Sequence, residues 1–132
     1  MRSPVDVVLA FLEKINQHDV EGLVGLLSED HVFVDSLGSP LQGREKLRAG
    51  WRSYFTMCPD YSVSHEEIFA SGNVVATFGS AGGTISTQGE LKAENRWRIP
   101  AAWIASVRNG QLTEWRVYAD NKPVYEILAR LK

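Results

Sequence analysis

Arg44-Glu45-Lys46-Leu47-Arg48-Ala49-Gly50-Trp51-Arg52-Ser53-Tyr54-Phe55-Thr56-Met57-Cys58-Pro59-Asp60-Tyr61-Ser62-Val63-Ser64-His65 is the stretch in which the chain changes its hydrophobic period. Leu47, Trp51, Tyr54, Phe55 and Cys58 recur in steps of three and four, which puts them on one face of a helix running from Arg44 to about Cys58. Pro59 stops that helix, because it has no N–H to give and its ring clashes with the preceding turn. Beyond it Tyr61, Val63 and His65 alternate, and alternation marks a strand with one buried face. A helical half followed by a sheet half is an α+β chain, with helices packed on one face of a mainly antiparallel sheet.

Upstream, Ser3-Pro4-Val5-Asp6 reads as a helix start: Ser3 caps, Pro4 fits the first turn, and Asp6 sits where a capping-box acid would. Val5, Val8, Leu12 and Ile15 form its buried stripe, with Phe11 beside it. Asp19 caps a second short helix carrying Leu23, Val24, Leu26 and Leu27. His31 to Asp35 is a strand candidate, and Ser36-Leu37-Gly38-Ser39-Pro40 has turn chemistry.

Downstream, Ser71-Gly72-Asn73 turns the chain into a return strand from Val74 to Thr87. Gly79, Gly82 and Gly83 in that strand point to a bulge or a close approach of another group. Glu94 to Val107 is a further strand, in which Pro100 marks a bulge or an edge. Asn109-Gly110 is a hairpin signal, since both central positions of a type I′ turn need positive φ. Leu112 to Ala119 pairs back, and Pro123 opens a last helix bearing Val124, Ile127, Leu128 and Leu131. Four strands, punctuated by Gly and Pro, are expected to curve around the third helix into a cone with one open end. Such a mouth suits a small ligand.

The composition narrows the function. A chain of 132 residues fits one domain spanning 1–132, and 44% apolar with 23% charged residues is the balance of a globular protein. Net charge −2 supplies no cationic field for nucleic acid. The longest apolar run, Val7 to Leu12, is six residues, well short of the roughly 20 a bilayer needs. Asp6 and Glu13 fence that run, so it does not read as a signal peptide. One Cys cannot staple the chain, and the expected location is cytoplasmic. His18, His31 and His65 are scattered without metal-ligand spacing, so no metal is expected. Cys58 reads as a small core residue rather than a nucleophile.

Two groups of residues carry the chemical expectation. Phe11, Phe33, Trp51, Tyr54, Phe55, Trp97, Trp103 and Tyr118 are expected around the interior, either as a filled aromatic core or as the walls of a pocket for a flat apolar ligand. Asp35 ends an apolar strand beside a Gly-containing turn. A carboxylate held there among rings is a general-base candidate, and the alternative is a turn-forming Asp bonded to the backbone of Ser36 or Leu37. Asp120, at the end of the last strand, is the second acid, with capping of the tail helix as its alternative.

His18-Asp19-Val20-Glu21, His31-Val32-Phe33-Val34-Asp35, Gly43-Arg44-Glu45 and the run Gly110 to Asp120 together resemble the nuclear transport factor 2-like superfamily, and within it the SnoaL-like branch. That branch groups ketosteroid isomerases, polyketide cyclases and limonene epoxide hydrolases. The resemblance implies a conical α+β barrel, a homodimer through the sheet, and catalysis without metal or cofactor. It also constrains the chemistry. Asp35-Ser36-Leu37-Gly38 is similar to the isomerase's base-bearing turn, but Phe11 and Trp103 stand where its two oxyanion donors would be. Trp115-Arg116-Val117-Tyr118 carries Val117 in place of the epoxide hydrolase's water-orienting Asp. The single-acid arrangement of the cyclases survives, with Asp35 or Asp120 as the acid. Three functions follow as expectations: acid/base chemistry on a small apolar carbonyl compound, non-catalytic binding of a hydrophobic ligand, or a protein-interaction domain.

Overall fold

The computed structural model describes residues 2–132. Its elements run α1 (Pro4–Gln17), α2 (Val20–Val24), β1 (Leu27–Val34), β2 (Pro40–Gln42), α3 (Arg44–Met57), β3 (Ser62–Ser71), β4 (Val74–Thr84), a 3₁₀ turn (Ala93–Asn95), β5 (Arg96–Arg108), β6 (Gln111–Ala119) and α4 (Lys122–Arg130). The start and stop signals act as their chemistry requires. Ser3 Oγ accepts from the Asp6 N–H, Asp19 Oδ1 accepts from the Gly22 N–H, and α3 ends before Pro59.

The sheet has six strands in the order β2-β1-β6-β5-β4-β3. Every neighbouring pair is antiparallel except β1 with β6, which is parallel. Helix α1 touches β3, β4, β5 and β6, so those strands wrap around it and not, as expected, around the third helix, which covers β1 and β2. The sheet is strongly curved but stays open: β2 and β3 are its free edges, and the cone is not a closed barrel. The β3 edge is partly covered by Asn16 of α1, whose side-chain amide accepts from Val63 N–H at 2.8 Å and donates to Val63 O at 2.9 Å.

Several sequence expectations need correction. The second helix ends at Val24 and Gly25; Leu27 instead opens β1, and Leu26 O accepts from the Leu112 N–H. β2 is three exposed residues, too short to show a period, so the five strands marked along the sequence become six. The return strand ends at Thr84 rather than Thr87. Pro100 makes no bulge: it stays in register with Ser80, and pairing with β6 begins only at Ala101, so its missing N–H falls where β5 has no partner on that side. Gly79 is a close approach, because a Cβ there would collide with the Ser64 carbonyl, and the bulge lies opposite it in β3, between His65 and Glu67.

The core lies between α1, α3 and the concave face. Trp115, Phe11, Leu12, Ile15 and Leu112 are fully buried there. Phe11 meets Trp115 edge-on with centroids 4.8 Å apart, an arrangement worth about 0.5–1.5 kcal/mol beyond area burial.

Candidate functional site

Strand direction gathers one end of the sheet around a hollow. β1, β4 and β6 finish at this end, while β3 and β5 start from it, so Asp35, Ala81, Ala119, Tyr61 and Trp97 are brought together although far apart in sequence. They border a cavity of about 260 Å³, slightly below the roughly 300–1,000 Å³ usual for ligand pockets. Its wall is a chain of rings. Phe33 meets Trp51 at 6.2 Å, Trp51 meets Tyr54 at 6.4 Å, Tyr54 meets Tyr61 at 4.8 Å, and Tyr61 meets Trp97 at 6.0 Å, centroid to centroid.

The expected site residues divide. Asp35, Phe33, Trp51, Tyr54, Trp97 and Trp103 line the cavity. Phe11, Phe55, Tyr118 and Asp120 do not. Phe11 is committed to the core against Trp115, and Phe55 is stacked on His18 with centroids 4.2 Å apart. Tyr118 is 52% exposed, because in β6 it alternates with the inward residues Trp115, Val117 and Ala119. The same parity leaves Asp120 exposed, with Oδ1 accepting the Lys122 N–H at 3.0 Å. Tyr61, Ser36 and Asn121 also line the cavity and were not singled out from the sequence. The alternation that starts at Tyr61 was the signal for the first. Nothing local marked the other two, which meet across the mouth where Asn121 Nδ2 donates to Ser36 Oγ at 2.7 Å.

Asp35 both caps its turn and borders the cavity. Its Oδ1 accepts the N–H groups of Leu37 and Ser39, each at 2.9 Å, while the residue lines the cavity. Among the described residues none donates to Oδ2. Asp35 is the one ionisable acid or base of ordinary pH range in the lining, which contains no Lys, Arg or His. Burial pushes the hydroxyls of Tyr54 and Tyr61 well above the usual 10, so both stay neutral O–H donors. Beside them, burial pushes the Cys58 thiol up to about 11; the nearby Trp97 N–H opposes this and Asp60 adds to it. The Trp97 Nε1 itself is buried without a partner in hydrogen-bond geometry, so the sulfur is a neighbour rather than an acceptor. Among the described residues no three His, Cys, Asp or Glu side chains gather to share a metal ion. No helix among them is long and apolar enough to cross a membrane.

No curated protein matches the chain significantly. Solved structures of the same architecture do. IdmH from Streptomyces antibioticus, a candidate polyketide cyclase, superposes with TM-score 0.79 at 24% identity, covering 97% of this chain and 99% of its own. A protein from Catenulispora acidiphila DSM 44928 with a ketosteroid isomerase-like fold, solved with trimethylamine, gives 0.78 at 21% identity over 89% of this chain and 88% of its own. An LEH-like epoxide hydrolase from M. tuberculosis gives 0.78 at 22% identity over 96% and 90%. At these identities the likeness establishes the fold alone. The family model for the SnoaL-like domain matches residues 8–115, so the chain belongs to the SnoaL-like family.

Proposed function

We propose that the cavity takes a small, flat, largely apolar carbonyl compound and that Asp35 moves a proton on it without a cofactor, in the manner of an isomerase or cyclase. One observation carries this reading: a single carboxylate, fixed through Oδ1 by two backbone N–H groups, borders a ring-lined hollow with Oδ2 unengaged. Fixing one oxygen orients the base, and orientation is what a general base needs before any adjustment of its pKa. Asp35, rather than the exposed Asp120, is the acid of this proposal. The rings supply the affinity: burying about 150–200 Å² of aromatic surface is worth roughly 4–5 kcal/mol, a dissociation constant of about a millimolar or somewhat below.

A second reading is favoured by the same pair of hydrogen bonds. If capping the turn is all that Asp35 does, the cavity is a non-catalytic binder of hydrophobic ligands. A homodimer through the convex face of the sheet is also part of the proposal. It is supported by Phe69 and Phe78, which are 58% and 44% exposed there and pack edge to face.

One experiment separates these readings. The protein is mixed in D₂O with 6-methoxy-2-acetonaphthone, whose acetyl protons are acidic; tryptophan fluorescence reads binding and proton NMR reads deuterium entering the acetyl group. Saturable quenching with accelerated exchange supports the enzyme. Quenching without exchange supports the binder, and neither would defeat the cavity as a small-molecule site.

A further inference from the structure

The two tyrosines at the other side of the cavity have no role in the proton transfer, yet they are the better-built part of it. Asp35 follows β1 and Tyr61 precedes β3, with β6, β5 and β4 between them. Three strands separate them in the curved sheet, so the acid and Tyr61 border the cavity from different sides. Tyr61 is held rigidly. His18 Nε2 donates to its carbonyl at 2.6 Å, and its neighbour Asp60 accepts the Thr84 N–H and hydroxyl, each at 2.7 Å. Tyr54 comes from α3 to meet it at right angles.

Neither hydroxyl donates to any described residue, although both residues line the cavity. Neither is among the side-chain atoms sealed off without a partner, so both keep accessible surface. An O–H group that a bound apolar ligand covers costs about 1–3 kcal/mol if nothing accepts from it. Being neutral, they offer hydrogen bonds but no charge, and no cation in the lining would balance an anion.

From this we infer that Tyr54 and Tyr61 form an anchor for an uncharged oxygen acceptor, an ether, ketone or phenol oxygen, carried by the ligand at the end remote from its reacting carbonyl. The inference rests on the proposed small-molecule reading of the cavity and narrows its substrate class to two-ended, neutral, oxygenated aromatic or polycyclic compounds. Flat hydrocarbons with a single carbonyl fit less well, and carboxylates are opposed by Asp35 and by a lining without a cation.

A matched series tests it: 6-methoxy-2-acetonaphthone, its carbon isostere 6-ethyl-2-acetonaphthone, and the anion 6-acetyl-2-naphthoate, each titrated against the intact protein by fluorescence. The methoxy compound should bind roughly five- to tenfold more tightly than the ethyl compound, the naphthoate most weakly. Tyr54→Phe and Tyr61→Phe, together or singly, should bring the ratio of the methoxy and ethyl dissociation constants within each variant close to one. Equal binding of the methoxy and ethyl compounds to the unaltered protein would overturn the anchor and leave the cavity reading standing; so would a preference that survives the double substitution. Failure of all three to bind would overturn the cavity reading itself, and the anchor with it. The wild-type series needs no variant, and the melting temperature of each Phe variant checks that it folds.

Discussion

Asp35 and Asp120 are near twins in local chemistry and opposites in placement. Each follows a strand, those strands lie side by side and run parallel, and each accepts the N–H two residues on, from Leu37 at 2.9 Å and Lys122 at 3.0 Å. Yet Asp35 borders the cavity and Asp120 faces solvent. The cause is parity. Phe33 and Asp35 are two apart and share the inner face, whereas Asp120 is one residue past inward Ala119. In a strand, the count from the last inward residue decides which acid meets a ligand, and turn chemistry alone cannot.

The largest expected effect tests that contrast. Asp35→Asn keeps an oxygen to accept from Leu37 and Ser39 but removes the base. Exchange of the acetyl protons should fall about 10²–10⁴-fold, while ligand affinity and melting temperature change little. Asp120→Asn should alter the exchange rate by less than about twofold. If the two variants behaved alike, parity would not be what distinguishes the acids.

A second pair sharpens the line between core and cavity. Phe11→Ala should cost about 3–5 kcal/mol in urea unfolding, because the ring is fully buried against Trp51 and Trp115. Phe33→Ala should cost clearly less stability, since its ring already borders a void, and should instead weaken ligand binding.

The outline of the fold was legible because local chemistry dictates it. Pro59 had to end α3, and Asn109 and Gly110 adopt the positive φ values of 53° and 75° their turn requires. What failed to show were features set by partners distant in sequence. β2 exists only because β1 offers it an edge, and Leu27 joins a strand because Leu112 lies beside it. Within the site, Trp97 and Trp103 were legible since their even spacing keeps them on one face. Tyr118 could have been set aside on the same rule, being three residues from Trp115. Phe55 was not separable, because a helix face is broad and it is His18, turned back by its left-handed φ of 55°, that stacks on that ring.

Two smaller effects follow from groups outside the cavity. Burial depresses the pKa of His31 below its ordinary 6.5, against the opposing pull of its hydrogen bond to Leu112 O and of Glu114 and Asp30. On acidification the unfolded chain therefore takes up the proton before the folded one. This stabilisation is complete above about pH 6.5 and is lost as the pH falls through 6.5 toward the folded value, at no more than about 1.4 kcal/mol per pH unit. Urea midpoints between pH 7.5 and 5 should show the slope, and His31→Gln should flatten it. Smallest of all, Cys58 should resist iodoacetamide at pH 8 until the protein is unfolded, since its thiol is fully buried and titrates near 11.

The most direct test is a crystal structure of the protein soaked in 6-methoxy-2-acetonaphthone. The ring system should lie among Trp51, Trp97 and Trp103, with its acetyl end against Asp35 Oδ2. A cavity left empty, or a ligand found only on the surface outside it, would contradict the account.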